Sequence, residues 1–101
     1  MLAKSYAKNR RTCRVTFVLS REAAEGASRV EVLGDFNAWQ EGSTPMKLGS
    51  DGSWQARLSL EAGHEYRFRY LVDGRTWLND WNADKYLPSD FSDADNSVVI
   101  V

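Results

Sequence analysis

Arg29-Val30-Glu31-Val32-Leu33-Gly34-Asp35-Phe36-Asn37-Ala38-Trp39 is the stretch that decides how this 101-residue chain reads. Its first half alternates charged and apolar residues, the pattern of a half-buried strand. Its second half is a polar turn that leaves a tryptophan at the end, followed by Gln40-Glu41-Gly42-Ser43-Thr44-Pro45, which is all turn chemistry. An indole held between a strand and a polar loop is either a lid on the core or a platform for a flat ligand.

Working outward from it, the same two-residue period recurs. Cys13, Val15, Phe17 and Leu19 point one way, and Thr12, Arg14, Thr16 and Val18 the other. Ser20 to Ser28 holds at most one helical turn before Gly26, too short to stand alone, and reads as a loop. Pro45-Met46-Lys47-Leu48 reads as a short edge strand, because proline lacks the N–H that a central ladder needs. Trp54, Ala56, Leu58 and Leu60 alternate with Ser53, Gln55, Arg57 and Ser59. Then Tyr66, Phe68, Tyr70 and Val72 are expected inward, with Glu65, Arg67, Arg69 and Leu71 outward. Val98-Val99-Ile100-Val101 is a continuous apolar strand. Short strands, frequent turn signals and no helical period predict an all-β, immunoglobulin-like antiparallel sandwich of about seven to eight strands.

Asp73-Gly74 marks a hairpin whose loop length sets the face of Trp77. A two-residue loop places Trp77 opposite Tyr70, on the core side. A three-residue loop places it opposite Leu71, on the side of Arg69. From the residues alone both registers stand.

Length allows one domain, with residues 1–11 expected as a basic arm and 12–101 as the domain. A lone cysteine, Cys13, excludes an internal disulfide and a zinc quartet, and its apolar-side position marks a buried residue rather than a reactive thiol. The basic N-terminus has no apolar run, so neither a leader peptide nor a membrane span is predicted and a cytoplasmic protein is expected. Formal net charge is −1, which gives no overall pull on nucleic acid. Lys4, Lys8, Arg10, Arg11, Arg14 and Arg21 crowd the start, while Asp80, Asp84, Asp90, Asp93 and Asp95 crowd the end. With one histidine, His64, in a turn, no triad or zinc site can be assembled. Asp90, Asp93 and Asp95 lack the glycine and terminal glutamate of a helix-hairpin calcium loop. No metal or cofactor is expected. Four tryptophans are the informative excess: Trp54 sits in register with core positions, whereas Trp39 and Trp81 lie in polar loops. Arg69 on an outward strand position would be an ordinary solvated residue, but beside an exposed indole it becomes a donor next to an apolar platform, which suits a sugar.

The Val30–Trp39 block, Pro45-Met46-Lys47-Leu48 and Tyr66-Arg67-Phe68-Arg69-Tyr70-Leu71-Val72-Asp73-Gly74 together resemble carbohydrate-binding module family 48 over about residues 12–101. Such modules occur in the β-subunit of AMP-activated protein kinase and ahead of the catalytic domains of isoamylases, pullulanases and glycogen branching enzymes. The resemblance implies non-catalytic binding of α-1,4-glucan. Trp39 and Trp77 would be stacking platforms, Arg69 and Asn96 hydroxyl ligands, and Asn79 and Trp81 rim contacts. It favours the three-residue loop. The chain departs from the kinase subunit in having Ser92 and Ala94 where that protein has leucine and threonine, a place that Phe91 or Trp81 would have to fill. It is read as a free-standing module, with an α-glucan as partner and no nucleic acid or membrane. Docking to a glycogen-metabolising enzyme in trans is the alternative. Single-stranded nucleic acid binding by aromatics with Arg67, Arg69 and the basic arm ranks third and predicts a steep salt dependence.

Overall fold

The computed structural model describes residues 2–89 and 95–101. The expectations resting on Asp90, Phe91, Ser92, Asp93 and Ala94 lie outside them. Among the described residues there are nine strands: β1 (Leu2–Tyr6), β2 (Thr12–Leu19), β3 (Val30–Gly34), β4 (Lys47–Leu48), β5 (Trp54–Glu61), β6 (Glu65–Val72), β7 (Thr76–Leu78), β8 (Lys85–Pro88) and β9 (Asp95–Ile100). They form two antiparallel sheets, an immunoglobulin-like sandwich as the alternation predicted. The first sheet has the order β1-β2-β5-β4. The second has the order β3-β6-β9-β8, with β7 also on β6.

Two-faced strands pack because each can bury one apolar side. From the first sheet Cys13, Val15, Phe17, Leu19, Trp54 and Leu60 enter the core, and from the second Val30, Val32, Phe68, Tyr70 and Val99. Phe17 meets Phe68 edge-on, with ring centroids 5.0 Å apart. Cys13 is fully buried and Trp54 is a core residue, as read from their register.

Three features differ from the sequence reading. Residues 2–6 of the expected arm pair with β2 from Leu2↔Phe17 to Tyr6↔Cys13. Their side chains are mostly exposed, so the apolar period that reveals a strand is missing. Lys4 closes this edge with a 2.6 Å contact to Asp84, so the basic start and acidic end of the chain meet there. Second, the Pro45 segment changes sheets: Met46 N–H donates to the Val30 carbonyl of β3, and Lys47 and Leu48 then pair with β5. Third, the edge of β6 opposite β3 is shared end to end. β7 occupies it at Tyr70, Leu71 and Val72, and β9 from Glu65 to Phe68. No helix among the described residues is long and apolar enough to cross a membrane.

Candidate functional site

The hairpin has the three-residue loop. Val72 pairs with Thr76 and Leu71 with Trp77. Asp73 and Gly74 take positive φ of 53° and 71°, and Arg75 N–H closes the turn on the Val72 carbonyl. Asp73 is held by more than its own turn. Its Oδ1 accepts N–H bonds from Ser28 and Arg29, at 2.8 and 2.9 Å. These bonds hold its carboxyl below the usual carboxylate range.

This register puts Trp77 on the outer face of the second sheet with Leu71 and Arg69. Trp39 reaches the same face from the turn after β3. Its ring centroid lies 6.3 Å from that of Trp77, with 55° between the planes. Leu33 and Leu71 share this face and are both buried. Sequence alternation marks Leu71 as outward, which is right about direction and wrong about solvent. The same holds for Arg69, which is only 9% exposed.

The Gly34–Trp39 turn works as a mount for the indole, and each residue has a part. Gly34 passes so close to β6 that a Cβ there would lie 2.3 Å from the Arg67 carbonyl oxygen and 2.9 Å from Phe68 Cβ. Phe36 turns inward against Phe17 and Tyr66, at 5.4 and 6.2 Å between centroids. Asn37 ties the turn shut: its Oδ1 accepts the Gly34 N–H, and its Nδ2 donates to the Val32 carbonyl and to Thr44 Oγ1. Ala38 and Trp39 both adopt φ of 57°, a left-handed backbone that few side chains take up without support. The support is Asp35. One carboxylate oxygen accepts the Trp39 Nε1–H at 3.0 Å and the other the Arg67 backbone N–H at 2.9 Å. Asp35 was absent from the sequence-level candidates. Its signal was its place four residues before the tryptophan, within reach of the indole once the turn tightens into the 3-10 helix Asp35–Asn37.

Arg69 and Asn96 meet on this same face: Arg69 Nε donates to Asn96 Oδ1 at 2.7 Å, and both side chains are largely buried. That bond uses the amide oxygen of Asn96, whose other end carries two N–H donors. Four of the expected residues, Trp39, Trp77, Arg69 and Asn96, therefore belong to one face. The other two stand differently. Asn79 is bound internally, donating to the Asp95 carbonyl at 2.6 Å and accepting from the Ser97 N–H and Oγ–H. It clasps the point where β7 hands over to β9. Trp81 is 72% exposed and has no ring contact with Trp39 or Trp77 among the described residues. It lines a pocket with Val18, Ser20 and Asn82 beside the end of β2.

Beneath the turn that carries Trp81 lies Asp80, fully buried. Tyr70 Oη donates to its Oδ2 at 2.6 Å. Burial and that carboxylate push the Tyr70 phenol far up, so it stays a protonated donor. Among the described residues no group of three His, Cys, Asp or Glu side chains is placed to hold a metal ion.

The sequence model described as "Carbohydrate-binding module 48 (Isoamylase N-terminal domain)" matches residues 9–87. A 1,4-alpha-glucan branching enzyme of Xanthomonas campestris pv. campestris is 40% identical over 57 residues, 54% of this chain and 8% of that protein. The enzyme of the same name from Thiobacillus denitrificans is 41% identical over 59 residues, covering 56% of this chain and 8% of the relative. The match to that of Corynebacterium jeikeium is 43% over 47 residues, 45% of this chain and 7% of the relative. The shared segment is thus a small part of these proteins. With residues 9–87 matched and the sandwich present, the chain belongs to carbohydrate-binding module family 48.

Proposed function

We propose that the outer face of the five-stranded sheet binds an α-1,4-glucan chain without catalysis. The observation that carries this reading is the pair of indoles, 6.3 Å apart and inclined at 55°, on the face that also bears the Arg69–Asn96 pair. An indole face suits the C–H face of a pyranose, and a guanidinium with an amide suits its hydroxyls. Two inclined planes match successive rings of a curved α-linked chain better than those of a flat β-1,4 ribbon. Family membership and the names of the branching-enzyme relatives support the same ligand class. Each ring stack contributes about 1 kcal/mol by analogy with aromatic pairs, so short glucans bind at millimolar to micromolar concentration. Asn79 supports the face from within by holding β7 against β9.

The test is affinity electrophoresis of the wild type, Trp39→Ala and Trp77→Ala in gels with and without glycogen, with maltoheptaose and cellohexaose as competitors. Retardation of the wild type, its loss in both variants and competition by maltoheptaose alone are expected. Unretarded wild type overturns the glucan reading, and docking to a protein then takes its place.

A further inference from the structure

We infer that Trp81 forms a second glucan contact, separate from the Trp39–Trp77 face, so that one chain can hold two segments of a polysaccharide. This rests on the glucan reading above. Among the described residues Trp81 is the most exposed of the large apolar side chains, at 72%, yet the turn beneath it is firmly held. The buried Asp80 accepts the Tyr70 hydroxyl at Oδ2 and the Asn82 N–H at Oδ1, 2.6 and 2.8 Å away. Its own N–H donates to Ser97 Oγ at 2.9 Å. Its carbonyl accepts the Tyr86 hydroxyl, which in turn accepts the Ala83 N–H at 3.2 Å. A backbone turn held in this way needs little further ordering when a ligand lands on the indole it carries.

The indole faces an open pocket of about 310 Å³ lined by Val18, Ser20, Trp81 and Asn82. This combines an aromatic plane and an apolar wall with a hydroxyl and an amide at the rim, the chemistry that recognises a sugar ring. The β7–β8 connection carries Trp81 across to the end of β2 in the other sheet, away from the face that holds Trp77. One ring stack makes a weak site alone. On a long or branched glucan the two sites act together, because binding at one raises the effective concentration at the other.

The four indole N–H resonances of the ¹⁵N-labelled protein provide the test, with the Trp81 signal assigned by its loss in Trp81→Ala. Maltoheptaose is titrated into the wild type and into the Trp39→Ala/Trp77→Ala double variant, whose Trp54 signal reports that the core is intact. The inference expects the Trp81 signal to shift in both proteins, and Trp81→Ala to weaken retention by glycogen severalfold while the Trp39 and Trp77 signals still respond to maltoheptaose. If the Trp39 and Trp77 signals move and Trp81 stays still, the second site is refuted and the primary face stands. If Trp81 moves only in the wild type, it belongs to the primary face and the claim of a separate site fails. If no indole responds, the glucan reading itself falls and this inference with it.

Discussion

Asp35→Asn is the sharpest probe of how the indole platform is mounted. Both groups that Asp35 holds are donors: the Trp39 Nε1–H on one oxygen and the Arg67 N–H on the other. Asparagine has the same shape but only one acceptor, so its NH₂ must face one of the two donors. One charge-assisted bond is lost and the other becomes neutral. Hydrogen bonds to charged groups contribute about 1.5–3 kcal/mol. Asp35 is exposed, which argues for the lower end of that scale, about 1.5 kcal/mol. With an m-value of about 1–1.5 kcal/mol/M, the urea midpoint should fall by roughly 1 M. If the amide keeps its oxygen on Arg67, the strand stays anchored and Trp39 loses its orientation. Removing one ring stack of about 1 kcal/mol then weakens maltoheptaose binding about fivefold. Urea denaturation and calorimetric titration measure the two effects. A variant with unchanged midpoint and unchanged affinity would refute the idea that this carboxylate sets the indole.

Gly34→Ala should destabilise by about 3 kcal/mol, because its Cβ would meet the Arg67 carbonyl oxygen at 2.3 Å; a drop in Tm of less than a few degrees on thermal scanning would contradict the close approach. Tyr70→Phe leaves the buried Asp80 Oδ2 without its 2.6 Å donor and should cost about 2 kcal/mol in urea denaturation. For Asp73 the folded carboxyl lies below its unfolded value, so its stabilising contribution is complete above the unfolded value, about pH 4, and is lost as pH falls through the lowered folded one. Asp73→Asn keeps an oxygen for Ser28 and Arg29 and tolerates the positive φ but gives up the charge those N–H groups favour, so at pH 7 it should unfold somewhat below the wild-type midpoint. Its midpoint should fall less between pH 5 and pH 2, and an identical acid profile would argue against Asp73 as a source of that slope.

Strands β2 and β5 were legible because the sandwich buries one of their faces, and β3 and β6 because their core face is apolar at alternate positions, although Leu33, Arg69 and Leu71 on the other face are buried as well. Strand β1 was not legible, since its hold on the fold is backbone pairing with exposed side chains. Strand β8 was hidden similarly: Lys85-Tyr86-Leu87-Pro88 is short and ends in proline. At the candidate site, residue types and strand faces could be read locally. The burial of Leu71 and Arg69 could not, because it depends on residues brought over them from elsewhere in the chain. The register of Trp77 needed the conformation of Arg75, and the departure of Trp81 from the platform needed the path of the β7–β8 connection.

The handover along β6 has a consequence for how the surface responds to ligand. With β3 on one side and β7 and β9 sharing the other, β6 has a strand partner on both sides at Phe68, Tyr70, Leu71 and Val72, so the amides of this half should be among the slowest in the domain to exchange with solvent deuterons. Arg69 and the Arg67 N–H that anchors Asp35 both lie on this strand. A recognition surface built on so protected a strand is already ordered before anything binds, so glucan should slow exchange in the Gly34–Trp39 turn while leaving β6 unchanged.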